Sequence, residues 1–204
     1  MKHQGTKTLE TERLVLRRFR DTDAQAMFDN WANDPEVTRY LTWEPHKSVD
    51  VTRNVLSDWI RNYRRSSFYQ WAICLRETDE PIGSISVVNY QENVSAFEIG
   101  YCIGKRWWRQ GITSEALQAV IDYLFAETGA LRVCADHDSR NPNSGRVMRH
   151  CGMTYEGTLR QACRSNAGIG DKCVYAILRS EWEAQRARTA ADNRNRPGVG
   201  DDSL

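Results

Sequence analysis

The chain has 204 residues, 40% apolar and 27% charged, with a formal net charge of +1; that is enough for one domain with a sizeable core. The balanced charge argues against non-specific nucleic-acid binding, which needs a strongly basic surface. No apolar run approaches the ~18 residues of a membrane span, and the start MKHQGTKTLETERL holds no apolar signal core, so a cytoplasmic protein without membrane attachment is expected.

Residues 1–10 read as a loose lead-in, 11–185 as a single domain, and 186–204, rich in Ala, Arg, Asn and Asp with Pro197 and Gly198, as a disordered tail. Arg13 to Phe19 alternates as a first strand. Asp21 or Thr22 caps a helix reaching Trp31, which stops at Asn33-Asp34-Pro35. Pro35 to Pro45 is irregular and aromatic. Ser48 opens a second helix whose apolar residues Val55, Leu56, Trp59, Ile60 and Tyr63 recur at three- and four-residue steps.

Tyr69–Leu75, Pro81–Asn89 and Val94–Ile103 follow as strands separated by short turns, which predicts an antiparallel meander. A basic turn, Lys105 to Thr113, leads into a helix from Ser114 to Thr128, stopped by Gly129. Leu131–Ala135 reads as a buried strand. Asn141-Pro142 is an N-cap followed by Pro at the first helical position, and that helix ends at Gly152. Met153–Gln161 and Lys172–Arg179 form a last strand pair around the loop Ala162–Asp171. Helices interleaved with a mostly antiparallel sheet predict a mixed α/β (α+β) fold of about seven strands and about four helices.

One stretch stands out as a site. The apolar run Ile99-Gly100-Tyr101-Cys102-Ile103 feeds a glycine turn with Lys105, Arg106 and Arg109, and the turn feeds a helix. The first N–H groups of a helix lack internal partners, and its dipole adds positive potential there. Gly111 lets backbone come close to a ligand. Neither G-x-x-x-x-G-K-[ST] nor G-x-G-x-x-G occurs, so the expected phosphate site is of another kind. The six cysteines show no C-x-x-C and no paired-His spacing; they are expected to be reduced, with no metal site.

Six segments in order resemble the GCN5-related N-acetyltransferase superfamily over roughly Thr11 to Ala184. They are Thr11-Glu12-Arg13-Leu14, Ile82-Gly83-Ser84-Ile85, Glu98-Ile99-Gly100-Tyr101, Trp108-Arg109-Gln110-Gly111 with Glu115-Ala116, Asn141 to Ser144, and Gly157 with Leu159-Arg160. Within the superfamily, the chain resembles the branch that acetylates ribosomal-protein N-termini. The family's phosphate turn reads Gln/Arg-x-x-Gly-x-Gly/Ala; here its first position is Trp108 and its last Thr113.

The resemblance implies acetyl-CoA as co-substrate, with Arg106, Arg109, Gln110, Gly111, Ile112, Thr113 and Ser114 at its pyrophosphate. It implies pantetheine beside the backbone of Tyr101, Cys102 and Ile103, where a strand splays from its parallel neighbour, with an N–H there for the carbonyl oxygen. The resemblance implies that Asn141 bonds the pantetheine and Ser144 protonates the departing thiolate; Arg146 and Arg149, on the same helix, are within reach of CoA phosphates, but a solvated helix face is the commoner reading of such a pair. Glu98, on one strand face with Gly100 and Cys102, is the candidate base, directly or through water. A modest base fits an α-amine, of pKa ~7.8 and about 15% neutral at pH 7, better than a lysine, of which about 1 in 2,500 is neutral. A covalent route through Cys102 or Cys134 is disfavoured, since no histidine is placed to activate either thiol.

The acceptor groove is expected from Tyr40 to Trp43, the second helix and the loop Ala162–Asp171, with Arg160 and Arg164. Three readings of function remain: a protein N-terminal acetyltransferase, a small-molecule amine acetyltransferase, and a non-catalytic acyl-CoA-binding module. A homodimer is expected only by analogy.

Overall fold

Alternation in β2 (Leu14–Arg17) sends Leu14 and Leu16 to one face and Val15 and Arg17 to the other. That pattern sets which side of the sheet each helix covers. The structure is a computed structural model, and it describes residues 1–194. The strands after β2 are β3 (Gln70–Leu75), β4 (Pro81–Gln91), β5 (Ala96–Ile103), β6 (Arg132–Asp138), β7 (Thr154–Ser165) and β8 (Gly168–Leu178); β1 (Leu9–Glu10) precedes it. They form one sheet in the order β1-β2-β3-β4-β5-β6-β8-β7. Every neighbouring pair is antiparallel except β5 with β6.

Among the described residues, six helices accompany the sheet: α1 (Ala24–Met27), α2 (Pro35–Thr38), α3 (Val49–Asn62), α4 (Ile112–Thr128), α5 (Pro142–His150) and α6 (Arg179–Arg194). The long crossover helix α4 joins the parallel pair, as a parallel connection requires. Its Ala116, Leu117, Val120, Ile121 and Leu124, all fully buried, lie against Leu14, Leu16, Trp71, Ile73, Phe97 and Val133. Each such aliphatic side chain contributes ~1.5–3 kcal/mol of burial. The opposite face of β3, Ala72 and Cys74, packs with Phe19, Met27, Trp31 and Leu56 from the α1 and α3 layer. β3 is thus covered on both sides, which is why Trp71-Ala72-Ile73-Cys74 reads as an unbroken apolar run.

Several expectations need correcting. The lead-in is not loose: Lys2 N–H donates to Thr128 O at 2.8 Å, the Trp71 indole donates to Lys7 O at 2.7 Å, and Leu9–Glu10 pairs with β2. The supposed tail is helical through Arg194, as its Ala-, Glu- and Arg-rich sequence allows. Trp182 in α6 donates to Asp122 at 2.6 Å. The remainder of the expected tail, 195–204, lies outside the described residues. The loop Ala162–Asp171 is mostly a continuation of β7 and β8, closed by the two residues Asn166 and Ala167. The first helix is a composite of a 3-10 turn, α1 and a π turn (Phe28–Ala32). Among the described residues, no helix is long and apolar enough to cross a membrane.

The fold serves the site by splaying one pair of strands. β5 pairs with β6 only at Ala96, Phe97 and Glu98. At the same level β4 carries a bulge between Val87 and Asn89, leaving Val88 exposed opposite Glu98 and Ile99; such a bulge bends and twists its strand. Beyond it, β5 stays with β4 down to Ile103 opposite Gly83. A Cβ added at Gly83 would lie 2.5 Å from Cys102 O and 2.9 Å from Ile103 Cα, both backbone atoms. Gly83→Ala is expected to cost ~1–3 kcal/mol by overpacking. Thermal unfolding should show a fall of several degrees, whereas an unchanged melting temperature would mean β4 shifts freely here.

Candidate active site

The edge of β5 from Ile99 to Ile103 that faces β6 has no ladder partner, so its backbone is available to a ligand. A cavity of about 660 Å3 opens at this gap. Tyr101, Cys102 and Ile103 form its floor, the turn into α4 one wall, and the start of α5 another. Tyr101 holds the floor to α5: its hydroxyl donates to Ser144 O at 3.1 Å and meets Ser144 Oγ at 3.0 Å. A carbonyl only accepts, so the phenol proton goes there and the Ser144 hydroxyl donates to Tyr101. Burial pushes the Tyr101 pKa well above its ordinary value, so the phenol stays protonated.

The α4 wall has the geometry of an anion site. Gly111 sits at φ 76° as the N-cap, in the left-handed region, and Arg109 at φ 62°. The first intrahelical bond runs from Glu115 N to Gly111 O, which leaves the N–H groups of Ile112, Thr113 and Ser114 free of helical partners. Arg109 and Arg146 line the cavity beside them, with His150. Asn141, the N-cap of α5, uses no side-chain bond for capping, so its amide is uncommitted at the cavity wall.

The turn before α4 is braced from the segment that leads into β2. Glu115 accepts from Thr11 Oγ1 at 2.6 Å, from Arg13 N–H at 2.9 Å and from Arg13 Nε at 2.7 Å. Arg13 also donates to Gln110 O at 2.9 Å. Burial alone would raise the Glu115 pKa, but these bonds from Thr11 and Arg13 outweigh it and hold the carboxyl below its usual value. Trp108 donates to Ile103 O at 2.9 Å, so the residue that departs from the family pattern ties the turn to the end of β5.

At the other end, the cavity is lined by Tyr40 and Leu41, from the segment after α2, and by Arg140. Asn166, in the β7–β8 turn, donates through its side chain to Thr38 O at 2.9 Å and Trp43 O at 2.8 Å, and through its backbone to Leu41 O at 3.1 Å. Arg140 donates to Ala167 O at 3.0 Å. The hairpin tip is therefore fastened across this end. The Arg140 guanidinium also holds the Asp138 carboxyl down to about 2.

A family model for the acetyltransferase (GNAT) domain matches residues 13–154. The chain belongs to the GNAT acetyltransferase family. It is 35% identical over 171 residues to the uncharacterised N-acetyltransferase YoaA of Bacillus subtilis, covering 84% of this chain and 96% of that protein. It is 25% identical over 186 residues to the [ribosomal protein uS5]-alanine N-acetyltransferase of Escherichia coli, covering 87% and 94%. Among solved structures, a ribosomal L7/L12 α-N-protein acetyltransferase in complex with coenzyme A superposes with a TM-score of 0.75. That match is 23% identical and covers 84% of this chain and 98% of that one. The chain is thus an N-acetyltransferase of a family that uses acetyl-CoA.

Of the residues expected at the site, Tyr101, Cys102, Ile103, Arg109, Gly111, Ile112, Thr113, Ser114, Asn141 and Ser144 meet in the one cavity. Three do not line it. The Gln110 side chain folds back on Arg106 O. Arg106 lies over the Trp107 ring. Glu98 lies up-strand of the opening, beside Asp136 and Lys172. Burial, and after it the hydrogen-bonded Asp136, raise the Glu98 pKa above its usual value. Cys102 and Cys134 are both raised by burial, which keeps them as thiols and weighs against a covalent route. Arg149 turns away to the Tyr175 hydroxyl. The expected second helix, now α3, contributes nothing to the cavity lining.

Residues missed in the sequence include Asn143, Val147 and His150, which line the cavity with Arg146. They recur at i, i+3, i+4 and i+7, a face that the helical period of α5 makes readable. The roles of Arg13 and Glu115 carry no such local signal, because the partners are 102 positions apart. Arg13→Ala removes the brace without touching the cavity; CoA affinity by calorimetry should fall about tenfold, near 1.4 kcal/mol. Unchanged affinity would show that the turn holds its shape alone.

Proposed function

We propose that this protein acetylates the N-terminal α-amine of a protein substrate of the ribosomal-protein type, by direct transfer from acetyl-CoA. The observation that carries the reading is the coincidence at one opening of an unpaired β5 edge, the free N–H groups of α4 and the polar start of α5. The residues present fit the co-substrate: an anion-binding helix end with Arg109 and Arg146 stands at one side, and an uncommitted Asn141 amide at the other. Acetyl-CoA would supply the acetyl group as a thioester.

The chain's own residues divide the remaining work. The turn Arg109 to Ser114 holds phosphate through backbone N–H groups and charge. The free edge at Tyr101 to Ile103 offers an N–H to the carbonyl oxygen as it becomes anionic. Glu98 takes the proton of the acceptor amine; the two residues from Glu98 to Gly100 span about 7 Å of strand, more than one hydrogen bond covers, so the proton passes through water. Ser144, held by Tyr101, turns its hydroxyl proton from the Tyr101 oxygen to the departing thiolate, and the second proton of the attacking amine, passed on through water, restores it. The fastened arch of Asn166 and Leu41 confines the acceptor end, which suits a single terminal residue entering end-on. Similarity to the uS5-alanine and L7/L12 enzymes supports this acceptor class.

The deciding experiment is intact-mass acetylation with acetyl-CoA of ribosomal proteins with free N-termini, run beside a panel of small amines including polyamines and an aminoglycoside. Selective acetylation of one or more ribosomal proteins supports the reading; turnover confined to a small amine overturns it. Glu98→Gln should lower kcat/KM about 10²-fold and Ser144→Ala about tenfold, with CoA affinity preserved. Equal turnover by both variants and the native enzyme would remove both assigned roles.

A further inference from the structure

On the sheet face left open beside the splayed strands, three charged side chains converge from three strands. Lys172 Nζ of β8 lies 2.7 Å from Asp136 Oδ2 of β6 and 3.6 Å from Glu98 Oε1 of β5. Asn89 of β4 donates to Glu98 Oε2 at 3.4 Å. We propose that Asp136 and Lys172 complete Glu98 as the subsite that receives the acceptor's ammonium and takes its proton, with Lys172 the positioning residue for both carboxylates. The proposal rests on Glu98 being the base, and it assigns two residues that the cavity itself does not include.

Two carboxylates against one ammonium leave the group with one net negative charge, and an acceptor that arrives as R–NH3+ balances it. At pH 7 about 85% of an α-amine is in that form, so the enzyme must bind the cation before it makes the nucleophile. A neutral acceptor would be held here by hydrogen bonds alone.

Geometry decides which carboxylate takes the proton. With both carboxylates ionised to receive the ammonium, their mutual repulsion across adjacent strands makes the pair ready to take one proton from it. Lys172 sits nearer to Asp136 than to Glu98. The Lys172 ammonium is therefore engaged mainly by Asp136, and Glu98 is the carboxylate left freer to accept a proton. The three side chains are 25–28% exposed, open enough for water and shielded enough for their charges to matter. In the step itself, one N–H bond of the ammonium breaks and one O–H bond forms on Glu98, directly or through water. The freed lone pair attacks the acetyl carbon; as the C–S bond then breaks, the nitrogen gives up its second proton to water and the thiolate takes one up.

The other groups facing Glu98 do not confuse this. On β6, Cys134 is a neutral thiol turned to Phe97 O at 3.4 Å. Arg132 of β6 is paired with Glu156 of β7. From β4 the uncharged Asn89 amide is in reach.

The test combines two readouts: the Glu98 midpoint, by NMR titration of carboxyl-labelled protein, and the acid limb of kcat/KM with acetyl-CoA and an Ala-initiated peptide. Lys172→Met removes the nearby cation and should move both to higher pH by about 0.5–1. Asp136→Asn removes the like charge and should move both to lower pH. Lys172→Arg keeps the cation and should restore both, which separates charge from folding. Midpoints that stay in place in both variants overturn the proposal, as does an NMR midpoint that moves without the acid limb. If Glu98→Gln keeps full kcat/KM, the base assignment falls and the proposal falls with it. If Glu98→Gln is impaired but the other variants shift nothing, the proposal alone fails.

Discussion

Everything at the site follows from a ladder that stops early. β5 and β6 share register at three residues and then diverge, although both strands continue. A sheet normally closes such a gap, because unpaired backbone away from water is costly. Here the gap persists because the flanking elements hold the two strands apart. Tyr101 reaches from β5 to Ser144 in α5, β4 bulges at the same level, and β5 is kept against β4 by the close approach that Gly83 permits. The unmet backbone at the gap is thus left open to a ligand by contacts that lie outside it.

The second requirement is charge, and it is met by position more than by composition. A chain of net charge +1 presents four arginines (Arg39, Arg109, Arg140 and Arg146), a histidine and a helix N-terminus at one cavity. Three nearby cations that would add non-specific positive field are occupied. Lys105 is paired with Glu36, Arg13 with Glu115 and Arg140 with Asp138. The field is therefore concentrated where backbone N–H groups already point, which favours phosphate recognition over attraction to any polyanion.

The meander, α4, α5 and the glycine turn are legible in the sequence, because each is written in local signals: alternation, three- and four-residue spacing, Gly111, Asn141-Pro142. Residue patterns of the family carry the co-substrate. What stays hidden depends on partners far along the chain. The segment 1–10 reads as loose because it is short and polar, yet its order comes from Tyr69, Trp71 and Thr128. The hairpin tip reads as a loop because Gly168 and Gly170 are turn residues, whereas register with β7 carries the ladder through both. Strand parity puts Glu98 in the cleft. Parity assigns its face correctly but says nothing of its height along the strand, and the structure sets it above the opening with Asp136 and Lys172.

The short β5–β6 ladder also divides the molecule mechanically. On one side lies a run of strands joined mostly to their sequence neighbours, which needs few distant encounters to assemble. On the other lies β6 with the inserted hairpin β8 and β7. Three paired residues and the helices α4 and α5 form the seam between them. A molecule lodged in that seam touches both halves at once. Its binding free energy therefore adds to their cohesion, in proportion to the logarithm of its concentration over its dissociation constant. The co-substrate would then govern how often the C-terminal half opens and exchanges its amides with solvent.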